Sequence, residues 1–117
     1  MDSSIAVRKL IIRNNDGEVS GEVELRILMP IEAGDDFSCR YEIHWQGRVK
    51  ISDVLGVDAV QALLLALQRL ASEMYFSDEY KTGRLEWMGG NNLGLPLPAG
   101  LEPPNFSSTN SLNVMKS

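Results

Sequence analysis

The sequence has few of the residue types on which metal sites and nucleophilic catalysis depend. It contains one cysteine, Cys39, and one histidine, His44. One cysteine cannot form an internal disulfide bond or a cysteine-based zinc site, and one histidine excludes every site that needs several histidines. We therefore expect no metal and no cofactor in this protein.

Positive charge is also scarce. Eleven lysine and arginine residues stand against sixteen aspartate and glutamate residues, which gives a formal net charge of −5 at pH 7. Nucleic acids and anionic membrane surfaces both attract a surplus of basic side chains, so neither is an expected partner. An acidic chain suits a basic protein partner instead.

Long apolar runs are missing too. The densest one, residues 62–67, is far too short to cross a bilayer. The first ten residues lack the basic-then-apolar order of a signal peptide. We therefore expect a cytoplasmic protein.

What is present is the composition of an ordinary globular domain. Hydrophobic residues make up 44% and charged residues 23% of the 117 residues, as in soluble folded chains. The length fits one domain, which we expect over residues 1–104. Residues 105–117 are mostly small and polar, and we expect a flexible tail there.

Alternation of apolar and polar residues predicts antiparallel strands over residues 19–29, 37–45 and 48–51. Short turns separate these strands, so a meander is the most economical topology. A further strand over residues 5–12 alternates imperfectly, which indicates either burial on both faces or a bulge near residues 8–9.

The alternation also sorts side chains by face. The residues expected to point into the core include Phe37, Cys39, Tyr41, Ile43 and Trp45. The opposite face collects the polar and charged residues Glu22, Glu24, Arg26, Arg40, Glu42, His44, Arg48 and Lys50. Cross-strand charge pairing explains this set without a ligand, and the alternative is that the face is a docking surface.

Residues 59–76 change to a helical period. Asp58 is placed to cap the helix start, and Gln61 to complete a capping box. The apolar stripe that should face the core comprises Val60, Leu63, Leu64, Leu67, Leu70, Ala71 and Met74. With a short final strand over residues 84–88, the expected fold class is α+β: an antiparallel β-meander of four or five strands with one long amphipathic helix packed on one face.

No catalytic constellation emerges from this arrangement. Cys39 and His44 have opposite parity on one strand, so their side chains point to opposite faces and cannot form a nucleophile–base pair. Acidic residues recur at positions 35–36, 53 and 78–79, where turns and surface positions explain them. We expect no catalytic residue.

The most unusual feature is the leucine segment, residues 93–101, in which leucines alternate with glycine and proline. Its prolines prevent a helix and favour an extended backbone. Its leucines either fold over an open end of the core or belong to a partner site. The candidate partner-binding residues are Glu22, Glu24 and Glu42 on the polar face, Tyr80 near the helix exit, and Leu93, Leu95 and Leu97 in the leucine segment.

Four stretches together resemble a family of small, uncharacterised bacterial proteins. They are residues 36–43, 56–67, 83–90 and 94–96, and the second carries the pattern Gly-x-Asp-x-x-Gln-Ala-Leu. The resemblance covers about residues 35–98 and brings no catalytic residues with it. Members of this family are similar in size and acidity to the immunity proteins of bacterial toxin systems, which neutralise a cognate toxin by binding it.

The leading hypothesis is therefore a non-enzymatic protein-binding module, most concretely an immunity protein that binds a basic toxin. One alternative is a small metal-dependent enzyme that uses clustered carboxylates. Another is a homo-oligomeric structural subunit that buries the leucine segment in a homodimer.

Overall fold

Six strands and two helices make up residues 3–104, the part of the chain that the computed structural model describes. In chain order they are β1 (Ser4–Arg13), β2 (Val19–Leu28), β3 (Ile31–Ala33), β4 (Asp36–Trp45), β5 (Arg48–Gly56), α1 (Ala59–Tyr75), α2 (Asp78–Lys81) and β6 (Leu85–Glu86). The tail expected over residues 105–117 lies outside the described residues.

The strands form one antiparallel sheet in which β5, β4, β2, β1 and β6 are successive neighbours, with β3 also beside β4. The predicted α+β class and meander are confirmed, but the sheet has more than the four or five strands expected. The additional strand is β3, which lies between the predicted strands 19–29 and 37–45, where only a short turn was expected. Pro30 lies between the end of β2 and the start of β3, where its lack of a ladder donor matters least, and pairing begins again at Ile31.

The first strand has one buried face, and its irregularity lies elsewhere than expected. Ser4 pairs with Leu28 and Ala6 with Ile27, so the extra residue is Ile5 and not residues 8–9. Beyond this bulge, Leu10 and Ile12 point into the core.

Helix α1 begins as the sequence predicts. The Asp58 carboxylate accepts a hydrogen bond from the Gln61 backbone N–H at 2.8 Å. The Gln61 side-chain oxygen in turn accepts a hydrogen bond from the backbone N–H of Val57, one residue before the cap. These bonds satisfy donors that the first turn of a helix leaves unpaired.

The buried face of α1 is rotated from the predicted stripe towards its small residues. Val60 and Leu64 are exposed, and the buried residues are Ala62, Ala66, Leu70, Ala71, Met74 and Tyr75. The cause is the close approach of α1 to β5: a Cβ at Gly56 would lie 2.3 Å from the Ala62 nitrogen. Only small residues fit between elements this close, so alanines occupy the contact that a stripe of larger residues was expected to fill.

Helix α1 packs on β4 and β5, which leaves the β1–β2 half of the same sheet face to be covered otherwise. The leucine segment takes this place. Leu95 and Pro96 line a cavity of about 150 Å³ together with Ala6 and Leu25 of the sheet and Leu70 of α1.

None of the helices within residues 3–104 is long and apolar enough to cross a membrane.

Two leucines of the predicted stripe provide a matched test of this packing. Leu70 is 1% exposed and Leu64 is 52% exposed. We expect Leu70→Ala to lower the free energy of unfolding by roughly 2–5 kcal/mol, because it leaves a cavity. Leu64→Ala should change it by no more than about 0.5 kcal/mol. Urea titration of both variants measures the difference, and equal losses would contradict the rotated face.

Candidate functional site

The two faces of the sheet differ. Helix α1 and the leucine segment cover one, which we call the inner face, and the other is the open face. Strand register assigns to the open face Val7, Lys9 and Ile11 of β1, Glu22, Glu24 and Arg26 of β2, Arg40, Glu42 and His44 of β4, and Val49, Ile51, Asp53 and Leu55 of β5. Glu22, Glu24 and Glu42 therefore share one surface, as their parity predicts.

Charges at the centre of the open face are paired. Arg26 Nε lies 2.9 Å from Glu24 Oε2, and His44 Nε2 lies 2.7 Å from Glu42 Oε1. The register also sets Arg26 opposite Glu42 and Glu24 opposite His44. In this block the carboxylates of Glu24 and Glu42 alternate with the side chains of Arg26 and His44, and cross-strand pairing accounts for the arrangement.

A second pair lies nearer the sheet edge. The Arg40 guanidinium donates two hydrogen bonds to the Asp53 carboxylate, at 2.8 and 3.0 Å. This bond and the positive charge hold the pKa of Asp53 below its ordinary value. The bidentate geometry orients Arg40 across the face between β4 and β5.

Glu22 differs from the other two acidic candidates. It is exposed, it lies opposite Ile11, and within residues 3–104 it takes part in no ion pair. Its carboxylate is therefore available to an incoming cation, whereas Glu24 and Glu42 already hold intramolecular partners.

The position of the charges on β5 differs from the sequence interpretation. Arg48 and Lys50 were expected on the open face, but they pair with Trp45 and Ile43 and lie on the inner side. The two-residue turn at positions 46–47 makes Trp45 and Arg48 direct partners, and directly opposed residues share a face. Val49, Ile51 and Leu55 consequently point to the open face, where each is more than half exposed.

The leucine segment proves to be mainly a cover for the core. Leu93 is fully buried, and its N–H donates to the Tyr75 hydroxyl at 2.9 Å. Tyr80 is buried as well, with its ring in a T-shaped contact with the Tyr75 ring and its hydroxyl donating to the Asn91 carbonyl. Neither the Leu93 nor the Tyr80 side chain is accessible to a partner in this fold.

Leu95 and Leu97 are half-buried and pack against the same core. Of the seven candidate residues, the structure thus brings Glu22, Glu24 and Glu42 together on the open face. It separates them from Tyr80 and the three leucines, which lie on the opposite side of the sheet. The two groups cannot form one site.

Arg8 fastens the leucine segment, a role that the sequence did not reveal. Its guanidinium donates to the carbonyls of Leu93 and Gly94, both at 2.9 Å, and lies 3.7 Å from the centre of the Trp87 ring. Gly94 has a φ of +68°, and a Cβ there would lie 2.5 Å from that ring. The glycine therefore serves both the turn and the close contact.

Neither of the two residues considered for nucleophilic chemistry contacts the other. Cys39 is buried on the inner side, where its thiol donates to the Leu28 carbonyl and burial raises its pKa. His44 lies on the open face beside Glu42. Their predicted placement on opposite faces is confirmed.

A polar cluster joins the sheet to α1. The buried Tyr41 hydroxyl donates to Glu73 Oε1, and the Lys50 ammonium pairs with Glu73 Oε2. Burial and the bond to the carboxylate raise the pKa of Tyr41 to about 12. Among residues 3–104, no group of three or more histidine, cysteine, aspartate or glutamate side chains is placed to hold a metal ion.

These features define a small α+β domain with a meander sheet, one covered face and one open face. The chain belongs to the family described as a domain of unknown function, DUF6968, whose model matches residues 6–97. The match runs from β1 through Leu97, so the leucine segment that covers the core falls largely within it. No curated protein and no solved structure matches this chain.

Tyr41 predicts a fall in stability at high pH. The unfolded chain loses this proton near pH 10, whereas the folded protein keeps it up to about pH 12. The contribution of Tyr41 to the free energy of unfolding is therefore present below the unfolded pKa and is lost as the pH rises through this interval, by about 3 kcal/mol. Urea titrations across the interval should show a shallower decline for Tyr41→Phe than for the wild type. An equally steep decline would contradict this assignment.

Proposed function

We propose that this protein is a non-enzymatic protein-binding module that docks its partner on the open face of the sheet. The most concrete form of the proposal is an immunity protein that neutralises a cognate toxin by direct binding. The observation that carries it is the open face itself, which joins oriented charges at its centre to exposed apolar side chains at its margin.

The centre supports specific docking. Arg26 and Arg40 are held in place by carboxylates, so a partner meets ordered guanidinium groups and not freely moving ones. Arginine is enriched among the residues that dominate binding energy at protein interfaces. Preordered side chains lose less conformational entropy on binding.

The margin supplies the apolar part that an interface needs. Val49, Ile51 and Leu55 lie along β5 at one side of the face, and Val7 lies on β1 at the other. Apolar side chains beside paired charges suit a folded protein surface, which buries both kinds of group together.

The net charge of −5 favours a basic partner. Opposite charges accelerate encounter over distances comparable with the Debye length, about 8 Å at physiological ionic strength. Glu22, whose carboxylate is exposed on the open face, is the residue best placed to contribute to this attraction. A toxin that acts on nucleic acid is itself basic, which connects the charge argument to the immunity role.

Co-purification from the native host, followed by identification of the bound protein, tests this proposal directly. We expect a basic protein that arrests growth when it is produced alone and loses this effect when the two are produced together. A partner whose effect on growth does not change would contradict the immunity role. Binding on the open face would then be tested by the association kinetics of charge-reversal variants.

Charge reversal on the two faces tests where the partner binds. We expect Glu22→Lys to slow association with the basic partner several-fold, with a smaller effect as salt is added. Glu32→Lys is the matched control, because Glu32 is exposed, pairs with Phe37 on the inner side, and undergoes the same charge change. Surface-plasmon kinetics at two salt concentrations measures both variants. Equal slowing by the two would show that net charge matters and the open face does not.

A further inference from the structure

Strand β5 leaves one edge of the sheet free. It is nine residues long and pairs with β4 on one side only among the described strands. Because a two-residue turn joins β4 to β5, Trp45 and Arg48 form a hydrogen-bonded pair, and the bonded positions alternate from there. Val49, Ile51, Asp53 and Leu55 therefore direct their backbone N–H and C=O groups away from β4.

The usual protection of a sheet edge is weak here. Natural edges are commonly guarded by free charged side chains, proline or bulges. Lys50 is instead engaged with Glu73, and Asp53 with Arg40. Val49, Ile51 and Leu55, which carry three of the four free backbone positions, have exposed apolar side chains.

The edge is complementary to itself. In an antiparallel pair of two β5 strands with the twofold axis at Ser52, Val49 meets Leu55 of the second copy and Ile51 meets Asp53. This register places all four free residues in hydrogen-bonded pairs and sets apolar side chains opposite each other at both ends. An axis at Asp53 opposes two carboxylates, and an axis at Ile51 leaves Leu55 opposite the turn at Gly47.

Room for a second strand exists on the inner side as well. An open cleft of about 650 Å³ lies between β5 and α1, lined by Asp53, Val54 and Leu55 and by Leu65 and Arg69 of the helix. Helix α1 thus stands back from the edge at these positions. Leu65, which is 38% exposed, provides an apolar wall that a second copy would cover.

We infer that β5 is a homodimer interface, at which two copies of this chain pair edge to edge and join their sheets into one. The register centred on Ser52 defines the pairing. Because a twofold axis perpendicular to the sheet keeps equivalent faces on one side, the dimer presents two open faces side by side. This interface differs from a homodimer built on the leucine segment, whose Leu93 is already buried within its own chain.

Sedimentation equilibrium over a concentration series provides the first test. We expect the mass to rise from 13.0 kDa to twice that value. Amide exchange by NMR at low and high concentration adds a residue-level readout: the N–H groups of Val49, Ile51, Asp53 and Leu55 should become protected as dimer forms. A mass of one chain at every concentration would overturn the inference. So would protection that does not depend on concentration, because a segment of the same chain would then cover the edge.

Substitutions at the two margins of the open face distinguish a dimer that forms through the β5 edge from one that forms through the open face. Leu55→Lys adds a charge beside the free edge, and we expect it to raise the dissociation constant of the dimer at least about tenfold. Val7→Lys adds the same charge at the opposite margin, where Val7 is also half exposed, and should leave dimerisation unchanged. Thermal melts confirm that both variants are folded. Equal weakening by the two would overturn the edge interface.

Cysteine cross-linking tests the register. Ser52 faces its own copy across the proposed axis as a non-hydrogen-bonded pair, with Cα atoms about 4.5 Å apart, a separation that a disulfide accepts. Ser52→Cys should therefore form a covalent dimer with oxidised glutathione. Lys50→Cys should not, since its two copies lie roughly 13 Å apart along the strands. Cross-linking of Lys50→Cys alone would overturn the register.

Discussion

The close contact between α1 and β5 is the constraint on which the rest of the structure depends. Gly56 lets the first turns of α1 approach the strand so closely that Ala62 and Ala66 occupy the contact. A helix this close to β5 packs mainly on β4 and β5, and side chains such as Leu70 cover only part of the other half of the sheet. The leucine segment has to cover β1 and β2 for this reason, and Arg8 and Tyr75 hold it there.

The same constraint explains the division of the surface. The helix and the leucine segment are both used on the inner side of the sheet, so no described element remains for the other side. Strands with a polar outer row are suited to this situation, because an antiparallel sheet tolerates water on one face. The open face and the free edge of β5 are thus consequences of how few elements the domain has.

Much of the fold could be predicted from local pattern. The alternation in β2 and β4, the cap at Asp58 and the helical period after it each depend on neighbouring residues, and the structure agrees with them apart from a bulge at Ser20 in β2. The errors concern features that depend on contacts distant in sequence. The rotated face of α1 follows from its approach to Gly56, and the faces of Arg48 and Lys50 follow from the turn that aligns β5 with β4. Charged residues were assumed to face solvent, whereas Lys50 reaches Glu73 at the rim of the inner face.

The candidate site was predictable only in part, for a related reason. Parity alone placed Glu22, Glu24 and Glu42 on one face. It gave no information about Tyr80 or Leu93, since these residues are held in the core by hydrogen bonds that they donate to Asn91 and Tyr75, in separate parts of the chain. The exposed apolar row of β5 was missed because the predicted strand covered only residues 48–51 and had Arg48 and Lys50 facing outward, whereas the pairing continues to Gly56.

The clamp between Arg8 and the leucine segment has a consequence for how the chain folds. Arg8 bonds to a residue 85 positions later, and β1 also pairs with the late strand β6. During synthesis the amino-terminal hairpin emerges long before the segment that covers its apolar face. The β1–β2 face must therefore remain uncovered until almost the whole described domain has been made, and long-range closures of this kind slow folding. Assistance from a chaperone would act on that hairpin, at the stage when Leu10, Val23 and Leu25 are still in contact with water.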